Sequence, residues 1–75
     1  MESKPVQEIT INREFVELFK ILKFESLAAS GGEAKMLIAN GEVVVNGDVE
    51  TRKRRKIVAG DVIKIFGNEY RVVSE

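Results

Sequence analysis

Hydrophobic positions change their period along the 75-residue chain, and the changes divide it into elements. From Val6 to Ile11 the pattern alternates weakly, with Ile9 and Ile11 on one side, as in a short edge strand. Phe15, Leu18, Phe19 and Leu22 then recur at i, i+3, i+4 and i+7. That is one stripe of a first helix, which Asn12 would open as N-cap and which runs to Lys23. The stripe assigns both phenylalanines to the core in preference to base stacking. Between Phe24 and Ser30 the periodicity is lost. Ser30-Gly31-Gly32-Glu33 has the Ser-x-x-Glu spacing of a capping box. It predicts a second helix with Ala34, Leu37 and Ile38 buried and Gly41 as its stop.

Beyond Gly41 the period shortens to two. Val43-Val44-Val45 leads into Asn46-Gly47, a strong hairpin signal, and Asp48 to Thr51 is the expected return strand. Ala59-Gly60-Asp61 reads as a turn and Val62 to Phe66 as a strand. Gly67-Asn68 reads as a second two-residue turn, with Tyr70 to Val73 returning. The expected fold class is α+β: two short packed helices followed by a small, bent antiparallel β-sheet. One domain is expected over residues 1–75, with residues 1–5 a loose end closed by Pro5.

Composition narrows what such a domain can do. At 44% hydrophobic and 32% charged residues, the chain has the make-up of a folded domain. Its longest unbroken apolar run is four residues, Met36 to Ala39, so neither a membrane span nor a secretory leader is expected. Cys and His are both absent. Disulfides, thiolate metal sites, cysteine nucleophiles and the usual neutral-pH proton shuttle are excluded with them. The two aspartates, Asp48 and Asp61, stand in turn contexts and not in a metal-binding cluster. A chain this short buries only about 60% of its unfolded surface, which argues against a deep pocket. Neither an enzyme nor a cofactor is expected.

Charge supplies the candidate chemistry. The 12 cationic and 12 anionic residues cancel, but they are unevenly placed. Residues 1–50 hold five cations and nine anions, whereas residues 51–75 hold seven cations and three anions. Five of those seven are contiguous: Arg52, Lys53, Arg54, Arg55 and Lys56. Such a run is held against its own repulsion, and its guanidinium groups suit bidentate phosphate contacts. All five positions read as exposed, so charge reversal at Arg52, Arg54 and Arg55 would leave folding intact. In a strand, Arg52, Arg54 and Lys56 would face one side and Lys53 and Arg55 the other; in a loop all five could contribute. The same side chains suit carboxylates, so an adaptor that binds an acidic protein partner is the alternative. A membrane-surface role lacks the apolar helical face it needs. Tyr70 reads as packing, and Lys64 and Arg71 as ordinary exposed strand positions. The run reads as a polyanion-binding patch, and with few exposed aromatics, phosphate and shape contacts fit better than readout of single-stranded bases.

Three spaced motifs occur in order: Ala34-x-x-Leu37-Ile38-x-x-Gly41, then Val43-x-Val45-Asn46-Gly47, then Gly60-Asp61-x-Ile63. Together they resemble the RNA-binding domain named after ribosomal small-subunit protein S-four, over about residues 13–66. The stretch from Glu50 to Gly60 is similar to the small stand-alone bacterial members, of the YbcJ type. The resemblance implies an αL motif, in which two helices and a hairpin turn present one basic face to structured RNA, ribosomal or transfer. It also implies a cytoplasmic bacterial protein without cofactor; a monomer that works with the ribosome or a ribonucleoprotein is the expectation. Carried onto this chain, the RNA face falls on Ser30, Gly31, Gly32 and Lys35 at the opening of the second helix. Its second part is the basic run, Arg52, Lys53, Arg54, Arg55 and Lys56. Larger relatives have a basic residue where Gly31 stands. The free N–H groups of the helix start could replace it, although Glu33 opposes an anion there. Gly31 and Gly32 acting simply to shape a turn is the other reading.

Overall fold

The computed structural model describes residues 5–75, so all but Pro5 of the expected loose end lies outside the described residues. In chain order the elements are β1 (Gln7–Ile11), β2 (Val16–Glu17), α1 (Leu18–Phe24), α2 (Gly31–Ala39), β3 (Val44–Val45), β4 (Asp48–Val49), β5 (Lys56–Ile57), β6 (Val62–Ile65) and β7 (Asn68–Ser74). Five strands form one sheet in the order β1-β7-β6-β3-β4, and β2 and β5 form a separate two-stranded ribbon. The α+β class stands, with one refinement. β1 runs parallel to β7 while the other pairs are antiparallel, so the main sheet is mixed. Alternation of Ile9 and Ile11 marks β1 as an edge strand but carries no information about direction.

The second helix forms as its sequence dictates. Ser30 Oγ accepts from the Glu33 N–H at 3.1 Å, and Glu33 Oε1 accepts from the Ala29 N–H at 3.0 Å. The reciprocal half of the box thus reaches one residue before the cap. At the other end Gly41 takes φ +80°, its N–H donates to Ile38 O, and Glu42 N–H donates to Leu37 O. That paired pattern is a Schellman stop, and its left-handed residue is the position glycine fills most easily. Ala34 and Ile38 are fully buried, but Leu37 is only half-buried and packs on the margin of the core.

The first helix departs from expectation. It starts at Leu18 and has Glu17 as N-cap, without a side-chain cap. Asn12 caps nothing, and residues 12–15 precede it as irregular chain. The reason is tertiary. Leu18 N–H donates to Arg55 O at 2.9 Å and Phe19 N–H to Lys53 O at 3.1 Å, so carbonyls of the basic run satisfy the helix start. Val16 and Glu17 meanwhile pair with Ile57 and Lys56 in the ribbon, which unwinds the turn the periodicity would have added. Leu18, Ile21 and Leu22 are buried, Phe19 is half-buried and Phe15 is exposed. Assigning both phenylalanines to the core was therefore too simple.

Both hairpins close with two left-handed residues. Asn46 (φ +52°) and Gly47 (φ +90°) make the expected turn. The second turn uses Phe66 (φ +54°) and Gly67 (φ +76°), one place before the expected Gly67-Asn68 pair, and Asn68 pairs with Ile65. Gly60 N–H to Val72 O and Val72 N–H to Asp61 O, at 2.8 and 2.9 Å, pin this register.

Two of the spaced motifs prove to be halves of one bond network. Asn46 Nδ2 donates to Asp61 Oδ1 at 2.9 Å, and Asn46 Oδ1 accepts from the Val62 N–H at 2.9 Å. Asp61 Oδ2 also accepts from the Val58 N–H. The turn of one hairpin is thereby fastened to the start of the next strand, and both residues are structural.

Burial sets the first expectation. Ile38→Ala should cost about 2–5 kcal/mol in urea unfolding. Leu37→Ala should cost clearly less, because its side chain already meets solvent.

Candidate nucleic-acid interface

The five contiguous cations occupy a loop that ends in β5, and the loop is folded around one carboxylate. Glu50 is buried, at 5% exposure, and its own N–H donates to Val43 O. Arg52 grips it bidentately, Nε to Oε2 at 3.0 Å and Nη2 to Oε1 at 2.9 Å, and the Arg52 N–H adds a bond at 2.9 Å. Arg55 Nη1 reaches Oε1 at 2.8 Å. These bonds from Arg52 and Arg55 hold the Glu50 carboxyl well below the usual carboxylate range, against the opposing effect of burial. The pairs use up much of the binding capacity of two arginines. They also overturn the expectation that Arg52 and Arg55 could be reversed in charge without harm, since a carboxylate at either place would face buried Glu50.

The remaining cations point outward. Lys53, Arg54 and Lys56 are exposed, and Arg54 Nη1 contacts Glu17 Oε2 at 3.2 Å. Glu17 also meets Lys20 Nζ at 3.2 Å. Bonds from Lys20 and then Arg54 hold the Glu17 carboxyl below the usual carboxylate range. Pairs this exposed are weak, so Arg54 can exchange Glu17 for another anion at little cost.

Phe19 joins the two parts of the expected face. Lys35 Nζ stands 4.8 Å from its ring centroid, the Arg54 guanidinium carbon 5.4 Å and Lys20 Nζ 5.9 Å. A Cβ at Gly31 would lie 3.9 Å from the same ring. The start of α2 and the basic loop, far apart in sequence, therefore meet over one aromatic ring. An open groove of about 620 Å³ runs beside it, lined by Lys35, Met36, Ala39, Thr51, Arg52, Lys53 and Arg54. Ser30 and Gly32 are exposed and Gly31 half-buried at the margin of this face. Neither glycine has a positive φ, so backbone strain does not demand them. Sequence reasoning missed Glu50, Glu17 and Phe19. An acid two residues before a cationic run was the available signal for Glu50.

No group of three or more acidic residues among the described residues could hold a metal ion. No helix among them is long and apolar enough to cross a membrane.

Comparison with known proteins bears on this face. The S4 domain profile matches residues 9–73, wider than the 13–66 of the motif resemblance by three residues of β1 and six of β7. YbcJ of Escherichia coli is 51% identical over 59 residues, 79% of this chain and 84% of that protein. The probable ribosome maturation protein RlbA of Bacillus subtilis is 37% identical over 67 residues, 88% and 94% of the two chains. The solution structure of Escherichia coli YbcJ, described as having an αL motif involved in RNA binding, superposes with a TM-score of 0.70 over 97% of this chain and 94% of that one, at 40% identity. The 30S ribosomal protein S4e of Thermoplasma acidophilum gives 0.67 over 80% of this chain and 32% of that one, at 33% identity.

The Glu50 cluster makes stability depend on acidity. Its carboxyl is more acidic folded than unfolded, so its contribution is complete above the ordinary value of 4.5 and is lost as the pH falls below it. Glu50→Gln should flatten the loss of urea stability between about pH 5 and pH 2. Replacing Arg52 and Arg55 together with Ala strands the buried carboxylate and should cost about 3–5 kcal/mol at neutral pH.

Proposed function

The chain belongs to the S4 domain family, and from that premise we propose that it is a non-catalytic protein that binds structured RNA by phosphate and shape contacts. The observation that carries this reading is the convergence of Lys35 from α2 and Arg54 from the basic loop on Phe19, beside an open cationic groove. Side chains already gathered over one ring need less ordering to meet a phosphate backbone. Lys35, Lys53, Arg54 and Lys56 are the principal phosphate contacts in this reading. Arg52 adds its solvent-facing edge, and Arg55 orders the loop from beneath. Ser30, Gly31 and Gly32 border the face and offer backbone N–H groups to a nearby phosphate.

Ribosomal RNA is the favoured ligand, with transfer RNA second, because the names of RlbA and S4e both refer to the ribosome. The proposed setting is the cytoplasm, as a monomer without cofactor, associated with the ribosome or a ribonucleoprotein.

The test is a titration of the full chain with a folded ribosomal RNA fragment, single-stranded RNA and duplex DNA over several salt concentrations. Folded RNA should bind best, with a slope of log K against log salt of about −2 to −4. Lys35→Ala, Lys53→Ala and Lys56→Ala should each weaken binding and shallow that slope by about one. These changes leave the Glu50 cluster intact. Equal weak binding to all three polyanions would refute the proposal and turn the search to an acidic protein partner.

A further inference from the structure

We propose that Phe15 is a stacking site for one unpaired base of the bound RNA, adjoining the phosphate-binding cations; this rests on the RNA-binding reading above. Phe15 is 39% exposed although the sequence places it on a helical stripe with buried Leu18 and Leu22. Its surroundings give the exposure a use. In the β2–β5 ribbon Val16 pairs with Ile57 and Glu17 with Lys56. Alternation sends Ile57 into the core, where it is fully buried, and turns Glu17 and Lys56 outward. Phe15 and Val58 are the next residues beyond that end of the ladder, and Val58 is also exposed, at 43%. Two exposed apolar residues, Phe15 and Val58, thus adjoin the end of the ribbon that carries Lys56.

Lys56 Nζ stands 4.9 Å from the Phe15 ring centroid. From Lys56 the charged surface continues through Glu17 to Arg54, which is bonded to Glu17. A flat apolar ring with a cation standing over it complements a nucleotide, whose base has a π face and whose phosphate is anionic. Aliphatic or purely anionic partners would use only half of that surface. A base can reach the ring only if it is out of a helix stack, so the ligand class is structured RNA with a bulged or looped-out nucleotide. Other rings suit the role less well. Phe19 is half-buried and already surrounded by three cations. Phe24 and Phe66 are exposed, but no cation stands over either ring among the described residues.

The experiment compares an RNA hairpin bearing a single-nucleotide bulge with the same hairpin fully paired, using the full chain and Phe15→Leu. The wild type should prefer the bulged hairpin. Phe15→Leu should weaken binding to it by about 5- to 150-fold, leave the paired hairpin unchanged and keep the salt slope of the wild type. Phe15→Trp should restore the preference. As the chain has no tryptophan of its own, the introduced indole also reports stacking directly, by quenching on the bulged RNA alone. If Phe15→Leu binds both hairpins as the wild type does, or loses both equally, the stacking site is refuted while RNA binding stands. If the wild type binds neither hairpin, the RNA-binding reading itself fails.

Discussion

A buried carboxylate beneath five consecutive cations is the constraint around which this structure is arranged. Without Glu50, residues 52–56 would repel one another and extend into solvent. With it, two guanidinium groups and one backbone N–H turn inward at residues 52 and 55, and the chain between them is forced into a tight loop. The carbonyls of Lys53 and Arg55 then face the start of α1 and cap it, a task that no side chain performs. The same loop delivers Lys56 and Ile57 to pair with Glu17 and Val16. The loop gathered on this acid therefore meets both the start of a helix and one strand of the ribbon, and Glu50 together with Glu17 divides its cations into paired and free.

The bond between Asn46 and Asp61 does comparable work for the sheet. It ties the first hairpin turn to the loop that enters β6, and Asp61 in turn receives the Val58 N–H. The chain from Ile57 to Asp61 is thus anchored at one end in the ribbon and at the other in the main sheet. This coupling explains why an Asn-Gly turn and a Gly-Asp strand start occur together in the sequence. Each supplies half of a polar contact that neither could complete alone.

Local chemistry was legible and tertiary chemistry was not. The second helix declares itself through Ser30, Glu33 and Gly41, and the first hairpin through Asn46-Gly47, because each signal is satisfied within a few residues. The first helix was misplaced because its N-terminal partners lie more than thirty residues away, on Lys53 and Arg55. A stripe at helical spacing says which residues can share a face, but cannot say that β5 will claim Val16 and Glu17. The second turn failed for another reason. Phe66-Gly67 and Gly67-Asn68 both keep Ile63 and Ile65 on the inner face, so alternation does not choose between them; the bonds of Gly60 and Asp61 to Val72 do. In the candidate site, the types and positions of the cations could be read. Their division into paired and free groups could not, because it depends on Glu50 and Glu17.

That division matters more than the count of charges. A run of five free cations would attract any polyanion at long range, with little to distinguish one from another. Here Arg52 and Arg55 are tied to a buried acid and Arg54 to a half-buried one, while Lys53 and Lys56 have no ion-pair partner among the described residues. What remains has a definite arrangement: lysines flanking an arginine weakly paired to Glu17, with Lys35 meeting that arginine across an aromatic ring. Under the RNA-binding reading, phosphates that match the spacing of these cations are favoured, so geometry selects among anions where net charge could not. The zero net charge of the whole chain works in the same direction, because the cations of the basic run are balanced by the excess of anions in residues 1–50.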